Sequence, residues 1–144
     1  MALILNIDTC TENAIVSLAN NDVIIGTMNN SNQKDHASFL HTAIKNLLDK
    51  SGILISQLNA IAVTAGPGSY TGIRVGMAAA KGLAYALQIP LISLNTLEVI
   101  AMCSIIQSEN KDAFFCPMID ARRMEVFTAV YDQFLKEIIA PCAM

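Results

Sequence analysis

The sequence predicts an α/β protein: one lobe with a mixed sheet flanked by helices, in the order βββαβαβα, followed by the start of a second, similar lobe. Three observations carry this. Three strand patterns open the chain in succession, and strands then alternate with helical patterns. The helix beyond Gly72 is apolar around nearly its whole circumference, so it needs cover on both sides. An apolar strand ends in Ile-Asp twice, at Ile7-Asp8 and at Ile119-Asp120, each time ahead of a polar turn and a second strand. The lobes are placed at residues 1–110 and 111–144, with no linker between them.

Each element has its own reason. Leu3, Leu5 and Ile7 form a mostly buried strand, Ala14–Ala19 a second and Val23–Met28 a third, joined by the turn Asn20-Asn21-Asp22. Ala37, Leu40, Ala43, Ile44, Leu47 and Leu48 recur at helical spacing, giving an amphipathic helix over His36–Lys50, with Asp35 as N-cap and a stop at Gly52. Ala60–Ala65 reads as a short buried strand. It runs into the loop Gly66-Pro67-Gly68-Ser69-Tyr70-Thr71-Gly72 and a long helix over Ile73–Leu87. Ile89–Leu94 is a strand behind Pro90, and Thr96–Gln107 a helix with Thr96 as N-cap and Glu98 in its first turn. Phe114–Ile119 and Glu125–Tyr131 form a closing hairpin around the turn 120–124.

Composition excludes several classes. Charged residues make up 15% and hydrophobic residues 53% of the 144, with a mean hydropathy of +0.47. That balance rules out a disordered chain and points to apolar surface buried against a partner. A net charge of −3 is not the footprint of a free-standing nucleic-acid binder. The most apolar stretch, Met77–Leu94, is interrupted by Lys81, Gln88 and Pro90, so no membrane span is expected. The N-terminus has no basic leader, and Asn6 and Asp8 break its apolar run. Cys10, Cys103, Cys116 and Cys142 form no CxxC pair and read as reduced, buried thiols in a cytoplasmic protein.

The most specific local feature is the loop from Gly66 to Gly72. Gly66, Gly68, Ser69, Thr71 and Gly72 ahead of a helix offer backbone N–H groups to an anion, or make a tight capped turn; local chemistry leaves both open. It is not a Walker A loop, since Ile73-Arg74 stand where Lys-Ser/Thr is needed. Nor does its GxGxxxG spacing match the dinucleotide fingerprint. Asp8 and Asp120 are either turn formers or relics of a cleft, and their repetition favours the relic. His36 and His41 are five residues apart and share no helix face, so they take surface or cap roles.

Four segments, ILNIDTCTENAIVSL, DHASFLHTAIKNLL, IAVTAGPGSYTGIRVGMAAAKGLA and MIDARRMEVFTAVYD, resemble the TsaB (YeaZ) family over essentially the whole chain. The resemblance implies an actin/Hsp70-like (ASKHA) fold of two related lobes. It implies a non-catalytic partner of TsaD in making tRNA threonylcarbamoyladenosine. In TsaD an HxxxH metal pair sits on the helix whose matching positions here are Thr96 and Ile100, which cannot replace histidines. No catalytic residue, metal or cofactor is therefore expected, and a glycoprotease activity finds no paired nucleophile. An ASKHA kinase or ATPase is the alternative, though the turn Asp8-Thr9-Cys10-Thr11-Glu12 lacks the glycine of phosphate-gripping relatives. The family also implies a TsaE-like ATPase in a larger complex, tRNA reached only through it, and a homodimer when the chain is alone. The expected docking surface pairs the two long helices, through Leu40, Ile44, Leu47, Arg74, Met77, Ala79, Ala80 and Leu83. Gly76, Ala79, Ala80 and Gly82 are expected to let a partner helix approach.

Overall fold

The computed structural model describes residues 2–32, 35–110 and 112–144. It contains β1 (Leu3–Asp8), β2 (Ala14–Asn20), β3 (Val23–Asn30), α1 (His36–Ser51), β4 (Ala60–Thr64), α2 (Tyr70–Leu87), β5 (Leu91–Leu94), α3 (Thr96–Gln107), β6 (Met118–Arg122), β7 (Glu125–Tyr131) and β8 (Glu137–Ala143), with a 3₁₀ turn at Ile55–Gln57. The chain divides into two compact units, residues 1–65 with 69–93, and residues 66–68 with 94–144. The boundary expected at residue 110 thus falls earlier, because α3 packs Leu97 and Ala101 with Ala129 and Tyr131 of the second unit.

In the first unit a five-stranded sheet runs β3-β2-β1-β4-β5. β1 pairs antiparallel with β2 and parallel with β4, the mixed arrangement that a meander followed by a helical crossover produces. Burial alternates along β1, with Leu3, Leu5 and Ile7 buried, whereas all five residues of β4 are buried. α1 lies over β2 and β3 and α2 over β1 and β4, side by side as the sequence predicts. α1 buries Leu40, Ile44, Leu47 and Leu48, each worth about 1.5–3 kcal/mol of apolar burial. It crosses β3 closely: a Cβ on Gly26 would press on Leu47 Cδ1 at 2.7 Å.

In the second unit β6-β7-β8 form an antiparallel sheet, so the opening meander is repeated. β8 was not expected; it is almost wholly exposed and carries Pro141, so its sequence lacks an alternating pattern. The strand expected from Phe114 begins only at Met118, with Phe115 making a single bridge to Tyr131. The strand also runs on past Ile119 to Arg122, so the reversal narrows to the left-handed residues Arg123 and Met124.

Two caps differ from expectation. Asp35 precedes α1 but its side chain makes no capping bond. Asn95, not Thr96, caps α3, its Oδ1 accepting from the N–H of Leu97 at 2.8 Å. α2 starts three residues earlier than read, at Tyr70, because Ser69 is its cap.

Candidate functional site

The turn between β1 and β2 is where the first unit's elements converge. Asp8 ends β1, and its Oδ1 accepts from the Thr64 hydroxyl at 2.7 Å and from the Cys10 N–H at 3.0 Å. Thr9 is buried, and its hydroxyl donates to the carbonyl of Gly72 at 2.6 Å. The Ser69 N–H donates to the carbonyl of Cys10 at 2.7 Å. His36, buried at the first position of α1, places Nε2 3.1 Å from the carbonyl of Glu12. The ends of β1 and β4 and the starts of α1 and α2 thus all grip one turn.

The loop's own hydrogen bonds bear on its two readings. Ser69 Oγ accepts from the Gly72 N–H at 3.3 Å, and the Ile73 N–H donates to the Ser69 carbonyl at 2.8 Å. Three of the N–H groups that an anion would need are therefore engaged within the protein. Gly72 has a helical backbone, but a Cβ there would fall on the carbonyl oxygen of Thr9. Its requirement is close approach rather than backbone freedom. Gly68 is different, with φ at 154°, which a side chain tolerates poorly. The capped-turn reading is the one this geometry supports.

Asp120 repeats the bonding of Asp8 inside its own unit, its Oδ1 accepting from the N–H two residues on, that of Arg122, at 2.7 Å. Both acids serve their own turns. Among the described residues no cluster of three or more His, Cys, Asp or Glu could hold a metal ion. Thr96 is buried with its hydroxyl unpartnered, and Ile100 is half-buried. His41 is exposed as expected, whereas His36 is not a surface residue. Only Cys10 of the four cysteines is buried; Cys103 and Cys116 are exposed and Cys142 is intermediate.

The expected docking residues separate into two sets. Leu40, Ile44, Leu47, Ala79 and Ala80 belong to the first unit's own core, at 0–8% exposure, and of these Ile44 also lines a surface groove. Gly76 is likewise taken, because a Cβ there would meet the Thr9 side chain. Arg74, Met77 and Leu83 reach the surface. α2 is not covered all round: Tyr70, Arg74, Ala78, Lys81, Gly82 and Tyr85 are exposed, and Gly82 has nothing within 4 Å of a Cβ position. Between this helix and α1 runs a shallow apolar groove floored by Ile44, Leu48, Ile53 and Leu83. Sequence reasoning missed Thr9, whose only signal is a small hydroxyl residue following a strand's terminal Asp.

A mixed sheet with two helices on one face, its opening meander repeated, is the architecture of the ASKHA class. The family model described as TsaD, tRNA N6-adenosine threonylcarbamoyltransferase, matches residues 17–143. The tRNA threonylcarbamoyladenosine biosynthesis protein TsaB of Bacillus subtilis is 34% identical over 128 residues, covering 89% of this chain and 54% of that protein. Its Escherichia coli counterpart is 35% identical over 133 residues, covering 90% and 55%. The solved structure of YeaZ from Pseudomonas aeruginosa superposes with a TM-score of 0.89 at 28% identity, over 100% of this chain and 67% of that one. The chain belongs to this family, in its TsaB/YeaZ branch. It spans about half the length of the curated relatives it matches. Among the described residues no helix is long and apolar enough to cross a membrane.

Proposed function

We propose that this chain is a non-catalytic docking subunit that binds a TsaD-like protein and supports threonylcarbamoyl transfer to the adenosine beside the anticodon of tRNAs. The observation that carries the reading is the outward face of α1 and α2, where Ala78 and Gly82 leave room for a partner helix beside an apolar groove. Small residues on one helix let a second approach at the low end of about 8–10 Å between axes. Family membership supports the same reading, since the relatives are named threonylcarbamoyladenosine biosynthesis proteins. The proposed setting is the cytoplasm, with a TsaE-like ATPase joining the complex and tRNA reached through it. Without the partner, the same face pairs two copies of the chain.

The test is co-purification with the cognate TsaD-like protein, followed by threonylcarbamoyladenosine formation in a reconstituted reaction. Wild type should bind through an interface above about 1,000 Å² and support the modification. Gly82→Phe, which fills open space without touching the core, should fold normally and lose both. Retention of both by a folded Gly82→Phe protein would remove this face from the mechanism.

A further inference from the structure

We propose that the sheet edge at β3 is a peptide-binding groove. An extended segment of another protein adds to β3 as a further strand, with an apolar side chain in the cleft between β3 and α1 and a cationic side chain at Asp35. The site is independent of the docking face formed by α1 and α2. β3 ends one side of the five-stranded sheet, so its outer edge presents backbone N–H and C=O groups that no strand of this chain pairs, among the described residues. Sheets guard such edges with charge, proline or short length. β3 has none of these: its eight residues, VIIGTMNN, carry no charge and no proline. Its one irregularity is the bulge at Ile25, and over residues 26–30 it pairs in regular register with residues 14–18 of β2.

The cleft beside this edge supplies the selectivity. Burial alternates over the regular stretch, with Gly26, Met28 and Asn30 half-buried and Thr27 and Asn29 exposed. α1 comes down on Gly26 through Leu47, and beyond it a cleft opens between the strand and the helix. Met28, Phe39 and Ala43 give the cleft its apolar lining, and Ser38, Thr42 and Asn46 form its α1 wall. That wall lies on the side of α1 opposite to the groove lined by His41, Ile44, Lys45 and Leu48. A strand added at β3 sends alternate side chains toward the cleft, while its backbone bonds to the open edge. Asp35, exposed where α1 begins, is the only ionisable side chain lining the cleft among the described residues. Its carboxylate attracts a lysine or arginine on the incoming strand. A second copy would offer its own β3, which carries no cation, so charge favours a foreign segment.

The experiment titrates isotope-labelled protein with synthetic octapeptides of alternating threonine and valine, acetylated and amidated, bearing either lysine or glutamate at both ends. Amide shifts are followed by NMR. Shifts should saturate at residues 26–30 and 38–46, with a Kd on the order of 100 μM for the lysine peptide and about fivefold weaker binding of the glutamate peptide. Thr42→Tyr, at an exposed position where the ring fills the cleft, should fold as wild type does and lose the binding. Asp35→Asn should bind both peptides alike, and Gly82→Phe should bind as wild type does. Equal affinity of wild type for the two peptides would overturn the cationic occupant. No saturable shift at residues 26–30 by about 2 mM peptide, or binding retained by a folded Thr42→Tyr protein, would overturn the groove. Shifts at residues 26–30 that follow protein concentration, and that the lysine peptide does not reverse, would identify a second copy as the occupant and overturn the proposal.

Discussion

Gly72→Ala should destabilise the first unit even though it replaces glycine with the best helix former. In an open helix this change gains about 1 kcal/mol. Here the new methyl would fall on the Thr9 carbonyl oxygen, with the carbonyl carbon 3.1 Å and the Ser69 Cβ 3.3 Å away. Backbone on both sides must move, an overpacking that costs about 1–3 kcal/mol. The same movement loosens the buried bond from Thr9 Oγ1 to the Gly72 carbonyl, for about 1–3 kcal/mol more. Net destabilisation is then about 1–5 kcal/mol, or roughly 3–20 °C in Tm for a chain of this size. Gly82→Ala is the matched control in the same helix. It meets nothing within 4 Å, so it should stabilise by about 0.5–1 kcal/mol. Circular dichroism melts of the two variants beside wild type give the comparison. If Gly72→Ala melts at or above wild type, the close approach of α2 to the β1–β2 turn is not a constraint.

Tyr131 is buried with its hydroxyl unpartnered; burial, then the Glu98 and Glu137 carboxylates, hold its pKa above the ordinary 10.0. Above pH 10 the unfolded chain loses this proton before the folded one, so stability should fall with rising pH. Urea titrations should find that loss reduced in Tyr131→Phe, whose stability at pH 7 should equal or exceed wild type by up to about 1 kcal/mol. Ala79→Arg puts a charge into the first unit's core and should prevent folding, whereas Ala78→Arg, on the exposed side, should yield a folded protein that no longer binds the TsaD-like partner. Soluble expression and a pull-down separate these outcomes, and a well-folded Ala79→Arg protein would contradict the orientation of α2. Asp8→Asn keeps the Oδ1 acceptor and should stay within about 0.5 kcal/mol of wild type, while Asp8→Ala should lose about 1–3 kcal/mol by urea unfolding. Equal losses in the two would mean that the carboxylate's charge, rather than its two bonds, holds the turn.

Much of the fold is legible because burial leaves a period in the sequence. Leu3, Leu5 and Ile7 alternate, and Leu40, Ile44, Leu47 and Leu48 recur on one helical face, since each set meets the same core. β8 leaves no such trace, as a strand exposed along most of its length has no buried side to write one. Which residues of α2 face outward is illegible for a related reason. α2 is so rich in small apolar residues that composition does not say which side faces the sheet. Gly76 is small because Thr9 and Ile7 press on it, and Ala79 and Ala80 are buried in the core, whereas Ala78 is exposed and Gly82 has nothing within 4 Å of a Cβ position. His36 was unreadable because its partner, the carbonyl of Glu12, is a backbone group twenty-four residues away.

The unequal cores have a consequence for how the chain opens. Sixteen buried side chains cluster in the first unit and four in the second, among the described residues. Local opening draws on such differences, so amide protons of β6, β7 and β8 should exchange with solvent faster than those of β1 and β4. On heating, the second unit should open ahead of the first, whose own midpoint is the one that Gly72→Ala lowers. With no tryptophan in the chain, tyrosine emission divides the reporting: Tyr70 and Tyr85 belong to the first unit and Tyr131 to the second. Fraying of the smaller unit leaves the α1–α2 face standing on the larger core, so the surface proposed to bind outlasts the part of the chain that yields first.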